Sequence, residues 1–297
     1  ESWVNPLEAA AKAGIDLSAL GAPLDMTAFL QFTSGSTRTP AGVALTHRAI
    51  LTNVLQIFTA AQLTTPLRVV SWLPLHHDMG IILAAFATIL GLEYEMMTPR
   101  DFIQQPSRWL KQLDRRPSAA AQAAGDNTAD APNTYAVVPN FALELAVRYG
   151  KEQAGEDLDL SAIKGIIIGS EPVRQSAVEE FYKAFEGNGL QRAALRPSYG
   201  MAEAALLITT PQTENRPVFA RFDREALAAG EAKVVDDSVE AGVTFASNGQ
   251  PVRPMAFTIV DPETRSELPD GKVGEIWIAG ANVASGYLDR AEETADT

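Results

Sequence analysis

Residues 163–168, Ile-Lys-Gly-Ile-Ile-Ile, form a run too short for a helix and too continuously apolar for a strand with one wet face. A strand covered on both sides is expected there, as in a parallel sheet whose crossover helices lie over its faces. The chain then turns at Gly169-Ser170-Glu171. Pro172 is expected to open a helix at a first-turn position, where its missing N–H costs nothing, with Val173, Val178, Phe181, Tyr182 and Phe185 on the apolar side. The same order of strand, polar turn and helix recurs upstream: 68–73 (RVVSWL) reads as a strand, 74–78 as a polar turn, and 79–90 as an apolar helix that must be buried. Further upstream, 29–32 reads as the end of a strand, 33–39 as a loop, and 47–61 as a helix with Ile50, Leu51, Val54, Leu55 and Phe58 in one stripe; 7–20 also reads as helical. Repeated units of this kind put ligands at the carboxyl edge of a sheet.

Two stretches depart from the rhythm. Residues 114–134 are rich in Ala, Pro, Asp and Gly without an apolar period, and a mobile surface insertion is expected there. From Thr258 onward, alternating runs flank proline and Asp-Gly turns, which reads as a hairpin in a β-rich unit. The expected division is therefore 1–113, the insertion 114–134, a second α/β unit 135–210, a connecting segment 211–250, and a β-rich unit 251–297.

With 24 Lys+Arg against 37 Asp+Glu, the formal net charge of −13 disfavours a nucleic-acid partner, so any phosphate has to be bound locally. The absence of cysteine excludes disulfides and thiolate chemistry. No signal-peptide pattern opens the chain, and its longest apolar run, 79–90, is far below the ~20 residues that span a bilayer. A soluble, cytoplasmic protein that does not span a membrane is expected. Because the chain opens at Glu1 and closes on the charged stretch 290–297, it is expected to be a piece of a longer protein, truncated at both ends.

Four motifs carry candidate chemistry. In 33–39, Thr-Ser-Gly-Ser-Thr-Arg-Thr, five of seven side chains are hydroxyls; with the loop amides and Arg38 they can surround a polyphosphate, or form only a solvated turn. The spacing is not that of a Walker loop. In 71–80 (SWLPLHHDMG), two histidines and an aspartate abut an apolar helix: a metal site, a base pair, or a helix start capped by Asp78 with one histidine lining a cleft. In 166–173 (IIIGSEPV), Gly169 and Ser170 permit close backbone approach to a flat ligand, although a bare helix N-terminus fits as well. In 196–206 (RPSYGMAEAAL), Tyr199 offers a stacking face beside Gly200, and Glu203 can hold a hard cation; a plain strand-to-helix turn is the alternative.

In their order, TSGSTRTPAG, LPLHHDMG, GSEPV, PSYGMAEA and ELPDGKVGEIWIAGANVASGY resemble the successive motifs of the adenylate-forming superfamily. Within it, TSGSTRTPAGV and HHDMG are most similar to the fatty acyl-AMP ligases, and DFIQQPSRW with VVPNFALELA to those of the mycolic-acid pathway of actinobacteria. The resemblance implies an α/β fold of layered strand-loop-helix subdomains from the large domain of such an enzyme, plus a β-rich subdomain. It further implies that Thr33, Ser34, Gly35, Ser36 and Thr37 with Arg38 hold the β- and γ-phosphates of ATP, although the superfamily commonly has lysine where Ala41 stands. Gly169, Ser170 and Glu171 would border the adenine, Tyr199 beside Ser198 would stack on it, and Gly200 and Met201 would lie by the α-phosphate. Glu203 would ligate Mg²⁺. His77 would sit at the mouth of the acyl channel, with Gly80, Ile81 and Phe86 as its apolar wall, and 211–250 would contain the insertion that hinders use of CoA.

The implied activity is ATP-dependent conversion of a long-chain fatty acid to acyl-adenylate, with the acyl group passed to the acyl carrier protein domain of a polyketide synthase. A mobile C-terminal domain with a catalytic lysine would be the chain's own missing partner, so the piece alone is expected to adenylate weakly or not at all. An acyl-CoA synthetase of the same fold and a non-catalytic nucleotide- or acyl-binding module are the rivals; a serine hydrolase lacks its Gly-x-Ser-x-Gly elbow.

Overall fold

The computed structural model describes residues 21, 23–33, 40–214 and 216–296. The helix expected at 7–20 and the loop residues Ser34 to Thr39 lie outside the described residues. At the centre is a five-stranded, all-parallel sheet of β3 (Leu67–Ser71), β4 (Glu93–Met96), β5 (Asn133–Pro139), β6 (Ile163–Gly169) and β7 (Leu195–Pro197), in the order β4-β3-β5-β6-β7. All of β3 and nearly all of β5 are buried, and β6, the apolar run at 163–168, is buried except for exposed Lys164 and half-buried Ile167. The chain leaves β3 toward β4 through the helix Asp78–Ile89, then comes back to the other side of β3 with β5 and continues to β6 and β7. Counted from β3 the order is 2-1-3-4-5, so the winding direction reverses between β3 and β5. A crevice opens at the carboxyl ends of the strands at such a reversal.

Gly165 explains one oddity of the β6 sequence. A Cβ there would meet the Tyr135 ring at 2.9 Å and the Arg196 guanidinium carbon at 3.3 Å. Arg196, almost fully buried in β7, donates to the carbonyls of Ala61 and Lys164, so it closes the C-terminal end of the helix His47–Ala60 onto the sheet. Burial lowers its pKa to about 10.

Four sequence expectations need correction. The hydroxyl loop does not run into a helix: β1 (Thr27–Phe32) and β2 (Gly42–Thr46) pair antiparallel from Thr27–Thr46 to Phe32–Gly42, so the loop joins a hairpin, and the helix begins only at His47. The buried stripe of that helix is Ile50, Val54 and Ile57 together with Asn53 and Gln56, while Leu51 and Leu55 are exposed. The polar pair is buried because it has partners: Asn53 exchanges two hydrogen bonds with the backbone of Leu207, and Gln56 donates to Pro254 O and Asn282 Oδ1. The helix expected from Pro172 starts at Gln175: Arg174 keeps extended backbone at the N-cap, with its amide donating to Asn140 Oδ1 at 3.0 Å. The apolar helix after the histidines is buried on one face only: Ile82, Leu83 and Phe86 are inside and Ile89 is exposed.

Residues 114–132 carry a short helix, Ala119–Ala123, capped by Ser118, and Asp114 Oδ1 accepts from the Asp159 amide at 2.8 Å. In 211–250, β10 (Phe219–Asp223) and β11 (Gly242–Ala246) form an antiparallel pair. The expected hairpin is present as β13 (Ala256–Val260) with β14 (Glu275–Ala279), while β8 (Tyr199–Gly200), β9 (Leu207–Thr210) and β12 (Gln250–Pro251) form a small sheet. No described helix is long and apolar enough to cross a membrane.

Candidate functional site

A cavity of about 980 Å³ opens where the strand order reverses. Its polar rim brings together Thr33, His77, Ser170, Tyr199 and Glu203, five residues from four separate motifs. Its floor is apolar: Val69, Val137 and Ile167 of the sheet face Ile81, Leu83 and Phe86 of the helix Asp78–Ile89. Among the described lining residues there is no Lys or Arg, and the ionisable acids are Asp78 and Glu203.

Thr33 closes the neck of the hairpin loop. Its amide donates to Ala41 O at 3.0 Å, and its hydroxyl accepts from the Ala41 amide at 3.2 Å. Ser34, Gly35, Ser36, Thr37 and Arg38 fall outside the described residues. Beside the neck, buried Gln31 donates to the carbonyl of His76 at 3.1 Å, which ties β1 to the histidine turn; nothing in the local pattern of 29–32 marks that role.

In the helix after that turn His77 holds the N-cap position and Asp78 is the first residue, and both side chains lie within reach of the Met79 amide. Nδ1 of His77 lies 2.6 Å from Asp78 Oδ1 and 3.3 Å from the Met79 amide. It cannot donate to one and accept from the other. The shorter contact decides: Nδ1–H donates to Asp78, whose Oδ1 also takes the Met79 amide at 2.7 Å, leaving Nε2 as the ring's other nitrogen. The Asp78 hydrogen bond raises the His77 pKa against the opposing effect of partial burial. Gly80 is not a lining residue: a Cβ there would come within 2.1 Å of Pro74 O, so it lets the helix start pack on the preceding turn, while Ile81 and Phe86 reach the cavity.

Gly169 and Ser170 line the cavity, with Ser170 in the left-handed region at φ 70°. A side chain held there is strained, a cost that clusters at ligand sites. Glu171 is not among the lining residues; its Oε1 accepts from the Phe141 amide at 2.7 Å and caps the helix Asn140–Leu145. The Ser198 hydroxyl is engaged with Thr210 Oγ1 at 2.9 Å, so what Ser198 offers the cavity is chiefly backbone. Tyr199 is half-buried, and its pKa is raised by burial and then by the charge of Glu203. Gly200 has Leu206 O 2.0 Å from where a Cβ would sit, and Met201 follows it on the rim. Glu203 sits in the short turn Ala202–Ala204, and the hydroxyl of Tyr287 donates to its Oε1 at 2.8 Å. Tyr287 has no role assigned from sequence, although the motif containing it is one of those quoted above.

The family model described as "AMP-binding enzyme" matches residues 6–288. The chain belongs to the AMP-binding enzyme family. Long-chain-fatty-acid–AMP ligase FadD32 of Mycobacterium marinum is 42% identical over 272 residues, which is 91% of this chain and 42% of that protein. The crystal structure of a fatty acid AMP ligase from Legionella pneumophila superposes with a TM-score of 0.80 at 34% identity, over 96% of this chain and 48% of the other. A fatty acyl-adenylate ligase from L. pneumophila in complex with acyl adenylate and pyrophosphate gives 0.79 at 34% identity, over 95% and 48%. This member of the AMP-binding enzyme family thus spans less than half the length of these relatives, and its parallel sheet with flanking antiparallel sheets is the fold of the adenylate-forming enzymes.

Proposed function

We propose that this chain is the nucleotide- and acyl-binding part of a ligase that converts a long-chain fatty acid and ATP to acyl-adenylate and pyrophosphate, for transfer to an acyl carrier protein. The observation that carries this reading is the single cavity in which a polar rim from four motifs meets an apolar floor. The rim suits a nucleotide, with Tyr199 against the base and the loop closed by Thr33 around the β- and γ-phosphates, Arg38 included. The floor suits an alkyl chain. The names of the relatives support the same substrate class and the ligase reading.

In the proposed reaction a carboxylate oxygen attacks the α-phosphorus. The new O–P bond forms as the bond to the bridging oxygen of pyrophosphate breaks, and that oxygen keeps the electron pair. No proton transfer is required, because the acid is already ionised at neutral pH. The obstacle is bringing two anions together. With two carboxylates and no described Lys or Arg on the wall, the site needs added positive charge. Glu203, with Oε1 on Tyr287 and Oε2 left over, would hold a Mg²⁺, which when bound would supply charge neutralisation. His77 would hold the carboxylate or an α-phosphate oxygen through Nε2, and the apolar floor would exclude water from the chain.

Calorimetry of the 297-residue chain with a non-hydrolysable long-chain acyl-sulfamoyl adenosine tests the reading. Tyr199→Ala should weaken binding by the ~1–3 kcal/mol that aromatic stacking on a base contributes. Absence of binding to the unsubstituted chain, or an unchanged affinity in Tyr199→Ala, would count against it. ATP–pyrophosphate exchange by this chain alone should be weak or absent. In the whole protein, acid and ATP should give acyl-adenylate, and adding CoA should yield no thioester.

A further inference from the structure

The residues after Gly280 join two elements, the β1–β2 hairpin and the Glu203 turn, each of which contributes residues to the cavity lining. On one side they extend the β1–β2 hairpin: Ser285 N donates to Ala44 O at 3.0 Å, Ala44 N to Gly286 O at 2.9 Å, and Leu288 N to Gly42 O at 2.8 Å. They therefore run alongside β2, the strand on which the hydroxyl loop ends. Arg290 adds a hydrogen bond from Nη2 to Pro40 O, at the loop's own exit, at 2.9 Å. On the other side the same segment holds the Glu203 turn. Ala284 N donates to Glu203 O at 2.7 Å, buried Asn282 donates to Ala204 O at 3.3 Å, and the Tyr287 hydroxyl meets the Glu203 carboxylate. The turn needs such a restraint, because Ala205 just after it sits at φ 63°. Gly286 lets the segment bend here: at φ 132° it takes a conformation that suits glycine, and a Cβ would collide with Thr294 at 2.3 Å.

From this arrangement, and resting on the proposal that Glu203 holds the divalent cation, we infer that Tyr287 is a positioning residue for cation binding. Its hydroxyl occupies Oε1 and fixes the carboxylate rotamer so that Oε2 is presented to the cation. The backbone on either side of Tyr287 sets the distance between that carboxylate and the neck of the phosphate loop. A free carboxylate on a restrained turn still rotates about its side-chain bonds; the phenol removes that freedom. Partners of this kind behind a metal ligand typically change metal affinity about 10–100-fold when removed.

The test uses the full 297-residue chain with Mn²⁺ as the cation, titrated by electron paramagnetic resonance in the presence of α,β-methylene-ATP, alongside metal-free binding of AMP by calorimetry. Tyr287→Phe should raise the half-saturating Mn²⁺ concentration about 10–100-fold, with metal-free AMP affinity unchanged within about twofold. Tyr287→His, which keeps an N–H donor and guards against a packing effect of the Phe variant, should recover most of the loss. If Tyr287→Phe titrates like the unsubstituted chain, or loses AMP affinity in the same proportion as Mn²⁺ affinity, the inference is overturned while the proposed function stands. If the unsubstituted chain shows no nucleotide-dependent Mn²⁺ site, or Glu203→Gln leaves that site intact, the proposed role of Glu203 falls and the inference with it.

Discussion

At His77 the contest for one ring nitrogen has a measurable consequence. With Nδ1–H held by Asp78 at 2.6 Å, the charged imidazolium is favoured, and the His77 pKa stands above its ordinary 6.5. A raised folded-state pKa contributes stability that is fully present below about pH 6.5 and is lost as the pH rises through the folded value. His77 is 45% exposed, so water screens the pair and the stability effect is small; the titration itself is the useful observable. Asp78→Asn should move the His77 pKa downward, read from its ring ¹⁵N shifts against pH, whereas an unchanged midpoint would mean the pair does not form in solution. HHDMG puts two competent caps side by side and does not say which of them takes the Met79 amide. Which residue caps the helix depends on a one-residue difference in where helical backbone begins, and Asp78 and His77 are both competent caps. Tyr287 was legible only as part of a motif, because its partner Glu203 lies far away in the chain.

The elements around the sheet are joined by aromatic rings. Trp72, just beyond β3, stacks on Phe102 at 4.1 Å; Phe102 meets Trp109 edge-on at 5.8 Å; Trp109 approaches Phe181, which touches Phe185. One line of contacts thus links the end of β3, the helices Pro99–Gln104 and Ser107–Leu113, and the helix Gln175–Phe185. Phe102 is fully buried in its middle, so Phe102→Ala should destabilise the fold by about 3–5 kcal/mol, measured by urea unfolding followed through tryptophan fluorescence. A loss below about 1 kcal/mol would mean the two helices are held independently of this contact. Such elements were legible where pattern and length agreed, as in the buried β6 or the β13–β14 hairpin. The strand β2 was not: GVALT is a short apolar run that fits a strand or a helix end equally well, and only its pairing with β1 decides. The buried Asn53 and Gln56 misled the helix stripe in the same way, since their partners at Leu207, Pro254 and Asn282 are remote in sequence.

Across the whole molecule, the net charge of −13 and a cavity wall without described Lys or Arg supply no general positive field, so the nucleotide of the proposed function would depend on local donors, stacking and a cation. The winding reversal between β3 and β5 gives one crevice two chemically different halves, polar at the strand ends and apolar along the sheet face. If those halves are separable, a bulky side chain on the floor should exclude an alkyl chain without touching nucleotide binding. Ile81 is the position to use: it lines the cavity from the helix Asp78–Ile89 and is only partly buried, so a larger side chain has room to enter the space without overpacking the core. Each methylene kept from apolar contact costs about 0.8 kcal/mol, so displacing two of them lowers affinity by roughly tenfold or more. Ile81→Trp should therefore weaken a dodecanoyl-sulfamoyl adenosine at least about tenfold by calorimetry while leaving AMP within about twofold of the unsubstituted chain. Equal losses for both ligands would show that the floor and the rim are one subsite. No loss for either would show that the alkyl chain runs elsewhere, past β1 and the exposed ring of Phe32 rather than along the sheet.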